Sequence, residues 1–259
     1  MPFAKLSDVR IHYCLVGPDR APILVFSNSL GTDFRMWELQ ISSLESRFRI
    51  LRYDTRGHGQ SSVTPGPCSI AQLAQDVLGL LDFLKLDRVH FCGLSMGGQI
   101  GMSLAMNAPN RLDRLILCST AAKIGTAEEW KARIETVSSG GVKAVAPTVI
   151  SHWFTPAFQS KAPELIAPVL RMLETANADG YIVSCMAVRD FDARAEIVQI
   201  RTPTLVINGA QDPATTPADG RFLAQSIPGA RYAELNAAHL CNIEDRDRFG
   251  QELTTFFAR

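Results

Sequence analysis

The run Val89-His90-Phe91-Cys92-Gly93-Leu94-Ser95-Met96-Gly97-Gly98-Gln99-Ile100 constrains this chain more than any other stretch. Its first half is apolar and β-rich, its second half opens a helical pattern, and Ser95 stands between two glycines where the period changes. A strand that turns sharply into a helix lifts the serine hydroxyl above the sheet edge, and the next amide, at the helix start, is free to meet negative charge. Gly93 and Gly97 suit an apex with no room for side chains. A helix entry capped by serine shows the same local pattern, so the rest of the chain must supply partners for a nucleophile.

The apolar runs at residues 23–26, 49–53, 115–118 and 204–207 read as strands, mostly covered on both faces; residues 9–16 read as an edge or hairpin strand, and 231–235 as a short one. Helical spacing fills the intervals at 34–44, 70–84, 100–108, 217–226 and 243–257, with Pro109 stopping the helix after the serine. This alternation predicts an α/β class fold, a mostly parallel central sheet with helices on both faces. It lapses between Ala121 and Gln199, where four helical stretches follow one another at 127–137, 142–152, 163–176 and 179–189. The expected division is a core of residues 1–120 and 200–259 and an all-helical cap of residues 121–199, placed over the carboxyl edge of the sheet where such folds bind ligands. Trp130, Trp153, Phe154 and Phe158 are the aromatic residues such a cap would turn inward.

Lys plus Arg and Asp plus Glu both number 26, which disfavours nucleic acid or an anionic membrane as the main partner. The first residues show no basic segment followed by an apolar one, and no apolar run reaches membrane-spanning length, so a soluble cytoplasmic protein is expected. The 6 cysteines include no C-x-x-C pair, and Cys14, Cys92 and Cys118 lie in strand-like runs as small buried hydrophobes. Scattered histidines without H-E-x-x-H, and no nucleotide fingerprint, leave no metal and no cofactor expected. No motif specifies an oligomeric state. The loop Asp54 to Ser62 lacks a phosphate-binding pattern and reads as a structural turn near the site's rim, with Arg56 and His58 in local hydrogen bonds; His12 also reads as structural.

A serine nucleophile needs a base, and the base needs an acid to hold its tautomer. Only His152 and His239 follow Ser95. His152 lies in the helical insertion beside Trp153 and is explained as a cap residue, whereas His239 comes directly after the last strand, where its ring can hang over the sheet edge. Asp212 follows the strand at 204–207 and meets the requirement for the acid, although an aspartate before proline is also a common turn. The order Ser95, Asp212, His239, each beyond a different strand, favours the catalytic reading. For the oxyanion hole the amide of Met96 is one expected donor and that of Leu30, in the loop after the strand at 23–26, the other.

Together these residues resemble the α/β-hydrolase family over essentially the whole chain, with the helical insertion in the place of the family's variable cap. Within that family, Ser27-Asn28-Ser29-Leu30-Gly31-Thr32-Asp33, Met36-Trp37 and Tyr53-Asp54-Thr55-Arg56-Gly57-His58-Gly59 resemble the bacterial 3-oxoadipate enol-lactonases; Asn28-Ser29 stands where many members have His-Gly. The resemblance implies a small-molecule lactone substrate carrying an acetate arm, opened through an acyl-enzyme on Ser95. A buried carboxylate calls for a cation. Arg133 shares a helix face with Trp130 and is the first candidate, with Trp153 as a further pocket wall and Arg189 as a weaker cation; a solvated Arg133 is the plain alternative. The same triad would also serve another carboxylesterase, a cofactor-free haloperoxidase-like protein, a carbon–carbon bond hydrolase, or a slow-turnover small-molecule receptor.

Overall fold

The strands assemble as one eight-stranded sheet in a computed structural model that describes residues 2–258. They are β1 (Phe3–Lys5), β2 (Arg10–Val16), β3 (Ile23–Ser27), β4 (Arg49–Tyr53), β5 (Val89–Leu94), β6 (Leu112–Cys118), β7 (Thr204–Gly209) and β8 (Arg231–Leu235), in the spatial order β1-β2-β4-β3-β5-β6-β7-β8. β1 and β2 pair antiparallel, as do β2 and β4, and every other neighbouring pair is parallel. Burial follows from this topology. β7 is buried along its whole length, as expected where helices cover both faces of parallel strands.

The helices are α1 (Glu38–Leu44), α2 (Ile70–Phe83), α3 (Met96–Asn107), α4 (Ala127–Gly140), α5 (Ala146–Trp153), α6 (Pro156–Lys161), α7 (Pro163–Thr175), α8 (Ala178–Asp190), α9 (Pro217–Ser226), α10 (Cys241–Glu244) and α11 (Arg246–Phe257). The chain steps outward from β3 to β4 and then back past β3 to β5, so the winding direction reverses between β3 and β5. Right-handed crossovers put α1 on one face and α2, α3 and α9 on the other. α2 packs on α3, and α11 returns to pack on α1. A reversal of this kind opens a crevice at the carboxyl ends of the strands, where α/β sheets bind ligands. Register places Ser27 opposite Gly93 and Gly209 opposite Leu235, so the loops carrying Leu30, Ser95, Asp212 and His239 leave one edge of the sheet.

Local reading of the sequence differs from the structure in four places. The short edge strand β1 carries too few residues for a periodic signal. The first turn of the helix expected from Phe34 is 3₁₀, spanning Phe34–Trp37 with Asp33 as its cap. The closing helix breaks at Asp245, whose backbone (φ −122°, ψ 54°) is not helical, into α10 and α11. Between β6 and β7 lie α4 to α8, one helix more than the spacing predicts. The addition is α6, a single short element that Thr155 caps through the Phe158 amide and Pro156 initiates. No helix among the described residues is long and apolar enough to cross a membrane.

Candidate active site

Ser95 occupies the apex between β5 and α3 with φ 57° and ψ −114°, a conformation that non-glycine residues adopt only under constraint. The constraint is visible. The Ser95 amide donates to the Cys118 carbonyl at 2.9 Å, the Thr120 hydroxyl donates to the Ser95 carbonyl at 2.7 Å, and the Gly97 amide donates to the Asn28 carbonyl at 3.1 Å. Gly97 is required by close approach, since a Cβ there would lie 2.3 Å from the Ser27 carbonyl oxygen. Strain at the serine is therefore held by hydrogen bonds from β6 and from the loop after β3.

Across the sheet edge, Gly209 ends β7 against the backbone of residues 237–238, where a Cβ would meet the Ala238 carbonyl oxygen at 2.0 Å. This contact brings the Asp212 turn beside His239. Asp212 Oδ2 lies 2.8 Å from His239 Nδ1 and accepts the Thr215 hydroxyl at 2.7 Å, while Oδ1 accepts the amides of Ala214 at 2.8 Å and Thr215 at 3.1 Å. Burial pushes the Asp212 carboxyl up, but the nearby His239 ring and the Thr215 hydroxyl and amide together outweigh it and hold the group below the ordinary carboxylate range. An ionised carboxylate only accepts, so the shared proton sits on Nδ1 and leaves the Nε2 lone pair of a neutral imidazole available as a base.

Beside Ser95, the amides of Leu30 and Met96 lack partners among the described residues. In the loop after β3, the Ser29 amide faces the Met36 sulfur at 3.4 Å, the Gly31 amide donates to His58 Nε2 at 2.9 Å, and the Thr32 amide donates to the Ser29 carbonyl at 3.2 Å. Leu30 sits among them, buried, and its amide has no acceptor among the described residues. The amide of Met96 is in the same state at the first position of α3, where no intrahelical acceptor exists. Orphaned buried donors are rare, and two beside one serine are positioned to receive a negative oxygen.

His58 and Arg56 buttress this loop rather than bind ligand. The buried His58 ring accepts from Gly31 and lies 3.2 Å from the Arg56 carbonyl through Nδ1, and burial pushes its pKa down, so it stays neutral as that acceptor role requires. Arg56 keeps one local bond, from Nη1 to the Thr64 hydroxyl at 2.9 Å, but its main partners are distant. It reaches Asp76 through Nε (2.8 Å) and Nη2 (2.6 Å), and Asp8 through Nη1 (2.7 Å), tying the turn to α2 and to the loop before β2. His12 is likewise structural, with Nδ1 2.7 Å from Asp54 Oδ2.

A cavity of about 310 Å³ lies over Ser95 and His239 and is lined also by Leu30, Trp130, Arg133, Trp153 and Tyr181. Helices of the insertion supply most of its roof. Trp153 stacks on the His239 ring with centroids 6.2 Å apart and planes inclined 23°. Trp130 is fixed by its indole N–H, which donates to the Ile124 carbonyl at 2.7 Å. The Arg133 guanidinium lies 5.1 Å from the Trp130 ring centroid and has no ion-pair partner among the described residues. Arg189 is instead paired with Asp190 at 2.7 Å and does not line the cavity.

A family profile described as "alpha/beta hydrolase fold" matches residues 22–246. The chain belongs to the α/β-hydrolase family. Among proteins similar to this hydrolase, 3-oxoadipate enol-lactonase 2 of Acinetobacter baylyi is 41% identical over 252 residues, covering 97% of this chain and 94% of that one. 3-Oxoadipate enol-lactonase 1 of the same organism is 39% identical over 240 residues, 93% of this chain and 90% of that one. The crystal structure of the enol-lactonase from Burkholderia xenovorans LB400 superposes with a TM-score of 0.98 at 44% identity, with complete coverage of both chains.

The site of the hydrolase also contains residues that sequence reasoning passed over. Thr215 binds both Asp212 and His239, the latter at 3.3 Å from its hydroxyl. Its position three residues after the aspartate, at the N-terminal side of α9, was the available signal. Tyr181 lines the cavity from α8; His152, read from the sequence as a cap residue, lines it from α5. Burial raises the Tyr181 hydroxyl to about 12 against the opposing pull of Arg133, which lines the same cavity. Nothing in the local sequence distinguishes Tyr181 from a core aromatic, because its proximity to Arg133 arises only from the packing of α4 on α8.

Proposed function

We propose that this hydrolase opens 3-oxoadipate enol-lactone to 3-oxoadipate through an acyl-enzyme on Ser95. The observation that carries the reading is the unpaired Arg133 in the same small cavity as Ser95 and His239. A guanidinium without an ion-pair partner in the cavity of a nucleophile suits a substrate that brings its own carboxylate. The lactonase names of the relatives described above point to the same chemistry.

In this mechanism the acetate arm rests on Arg133, with the Trp130 and Trp153 rings as walls. Ser95 Oγ attacks the ring carbonyl while His239 Nε2 takes its proton, and Asp212 stabilises the resulting imidazolium. The tetrahedral oxyanion accepts the Leu30 and Met96 amides, each worth about 3 kcal/mol to such a transition state. Collapse breaks the ring carbon–oxygen bond and expels an enolate, which His239 protonates to the enol on its way to the ketone. The leaving group remains attached to the acyl chain, so it stays in the cavity until water, deprotonated by His239, cleaves the ester on Ser95.

Purified protein incubated with the enol-lactone, followed by loss of the substrate's absorbance beside Ser95→Ala, tests this reading. Turnover by the wild type and none by the variant is expected. A wild type no faster than Ser95→Ala overturns it.

A further inference from the structure

Glu244 belongs to no element of the mechanism above, yet its carboxylate joins two segments that border the site. Oε2 accepts the Ala238 amide at 3.0 Å, directly before His239, and the Thr155 amide at 3.2 Å. Oε1 accepts the Thr155 hydroxyl. A second stitch runs alongside, where the Leu240 amide donates to the Trp153 carbonyl at 3.0 Å. Both residues that flank His239 are thus tied to the turn between α5 and α6, and Trp153 from that turn lies over the imidazole face.

We propose that Glu244 is a positioning residue for His239, fastening its loop to the 153–155 segment of the helical insertion so that the base has two mounts. Asp212 fixes the ring through Nδ1 and sets its rotation. Glu244 fixes the backbone on which the ring is carried. The carboxylate suits the task because the groups it gathers, two backbone amides and a hydroxyl, are all donors, and an ionised acceptor satisfies them together. With Thr155 buried and Ala238 buried, an apolar residue at position 244 would leave two amides without acceptors and allow the loop to relax away from the segment. One consequence concerns the insertion itself. It does more than roof the cavity, since displacing the α5–α6 turn moves the base; substrate must therefore be admitted without hinging there, and Trp153 links the occupied cavity to the orientation of His239.

The inference rests on His239 acting as the base, and its test separates the two. Wild type, Glu244→Ala, Glu244→Gln, Thr155→Val and His239→Ala are assayed on a neutral activated ester. The active fraction of each is counted with a serine-directed phosphonate, and the downfield proton of the His239–Asp212 hydrogen bond is followed by NMR. Glu244→Ala is expected to lower the rate per titrated site about 10-fold with KM nearly constant, since small misplacements of a catalytic group carry losses of this order. The downfield resonance should broaden in the same variant. Glu244→Gln, which keeps an acceptor for the amides, should recover most of the rate. Thr155→Val, a milder change that leaves the Ala238 contact in place, should lose about 3-fold by the same reasoning and serves if the alanine variant does not fold. A purely structural role would lower stability or the count of active sites and leave the rate per site unchanged. That outcome, or a lowered rate with the resonance intact, overturns the proposal. Full activity in His239→Ala overturns instead the assignment of the base on which it rests.

Discussion

His239 Nδ1 lies 2.8 Å from Asp212 Oδ2, and the Thr215 hydroxyl shares that oxygen at 2.7 Å. The carboxylate therefore holds the ring in one tautomer while its remaining oxygen is taken by two amides of its own turn. Asp212→Asn should keep the fold and lower kcat by about 10⁴, because an amide at this position permits the wrong tautomer. Steady-state rates on a neutral ester measure it, and a loss below tenfold would show that the ring is oriented by other contacts.

The same pair makes a statement about acid stability. The Asp212 carboxyl titrates below its ordinary value of 3.8 in the folded protein, so its stabilising contribution is complete above that value. It is lost as pH falls through the lower folded-state value. Thermal unfolding of wild type and Asp212→Asn should accordingly converge as pH drops below 3.8, with the wild type losing stability faster.

Ser95 holds its place at the apex under backbone strain. Glycine adopts φ 57°, ψ −114° without a side-chain penalty, so Ser95→Gly should melt above Ser95→Ala. A net gain of about 1 kcal/mol, after glycine's own entropic cost, corresponds to roughly 3 °C in a chain of this size. Both variants should be inactive. Equal melting temperatures would mean that the apex is relaxed.

Arg133→Ala should raise KM for the carboxylate-bearing enol-lactone about 10- to 100-fold, the loss of one charge-assisted contact of about 1.5–3 kcal/mol. Hydrolysis of a neutral ester should change little. An unaltered KM for the lactone would assign Arg133 to solvent and remove it from substrate binding.

Breaking the buried Arg56–Asp76 pair, with both side chains 6% exposed, should destabilise the protein by about 3 kcal/mol, since it leaves a buried charge with one partner fewer. Urea denaturation of Asp76→Ala measures this. Because the same turn carries His58 and its bond to Gly31, the variant should also lose activity in proportion to any loosening of the Leu30 loop.

Much of the architecture was legible in order along the chain. Continuous apolar runs announce strands that are buried on both faces; Ser95 and Asp212 each follow such a run and His239 follows the short, half-exposed β8, so strand ends alone place them at one edge. The elements that escaped notice are short. β1 and α6 lack the length for a periodic signal, and the break at Asp245 is set by tertiary contacts of α10 rather than by a helix-breaking residue.

The sequence by itself determined the sheet, the glycine-flanked apex and the residues that can share a proton, because these depend on local period and on where strands end. Tertiary structure decided which cations and donors remain unpaired. Arg133 makes no ion pair among the described residues while Arg189 pairs with Asp190, and the Leu30 amide has no acceptor where the neighbouring amides of Ser29, Gly31 and Thr32 have theirs. Whether a polar group is satisfied depends on every residue packed around it, most of them distant in the chain, as the reach of Glu244 to Thr155 shows. Pairing is a property of the assembled fold, and it is there that the cavity takes its chemical character.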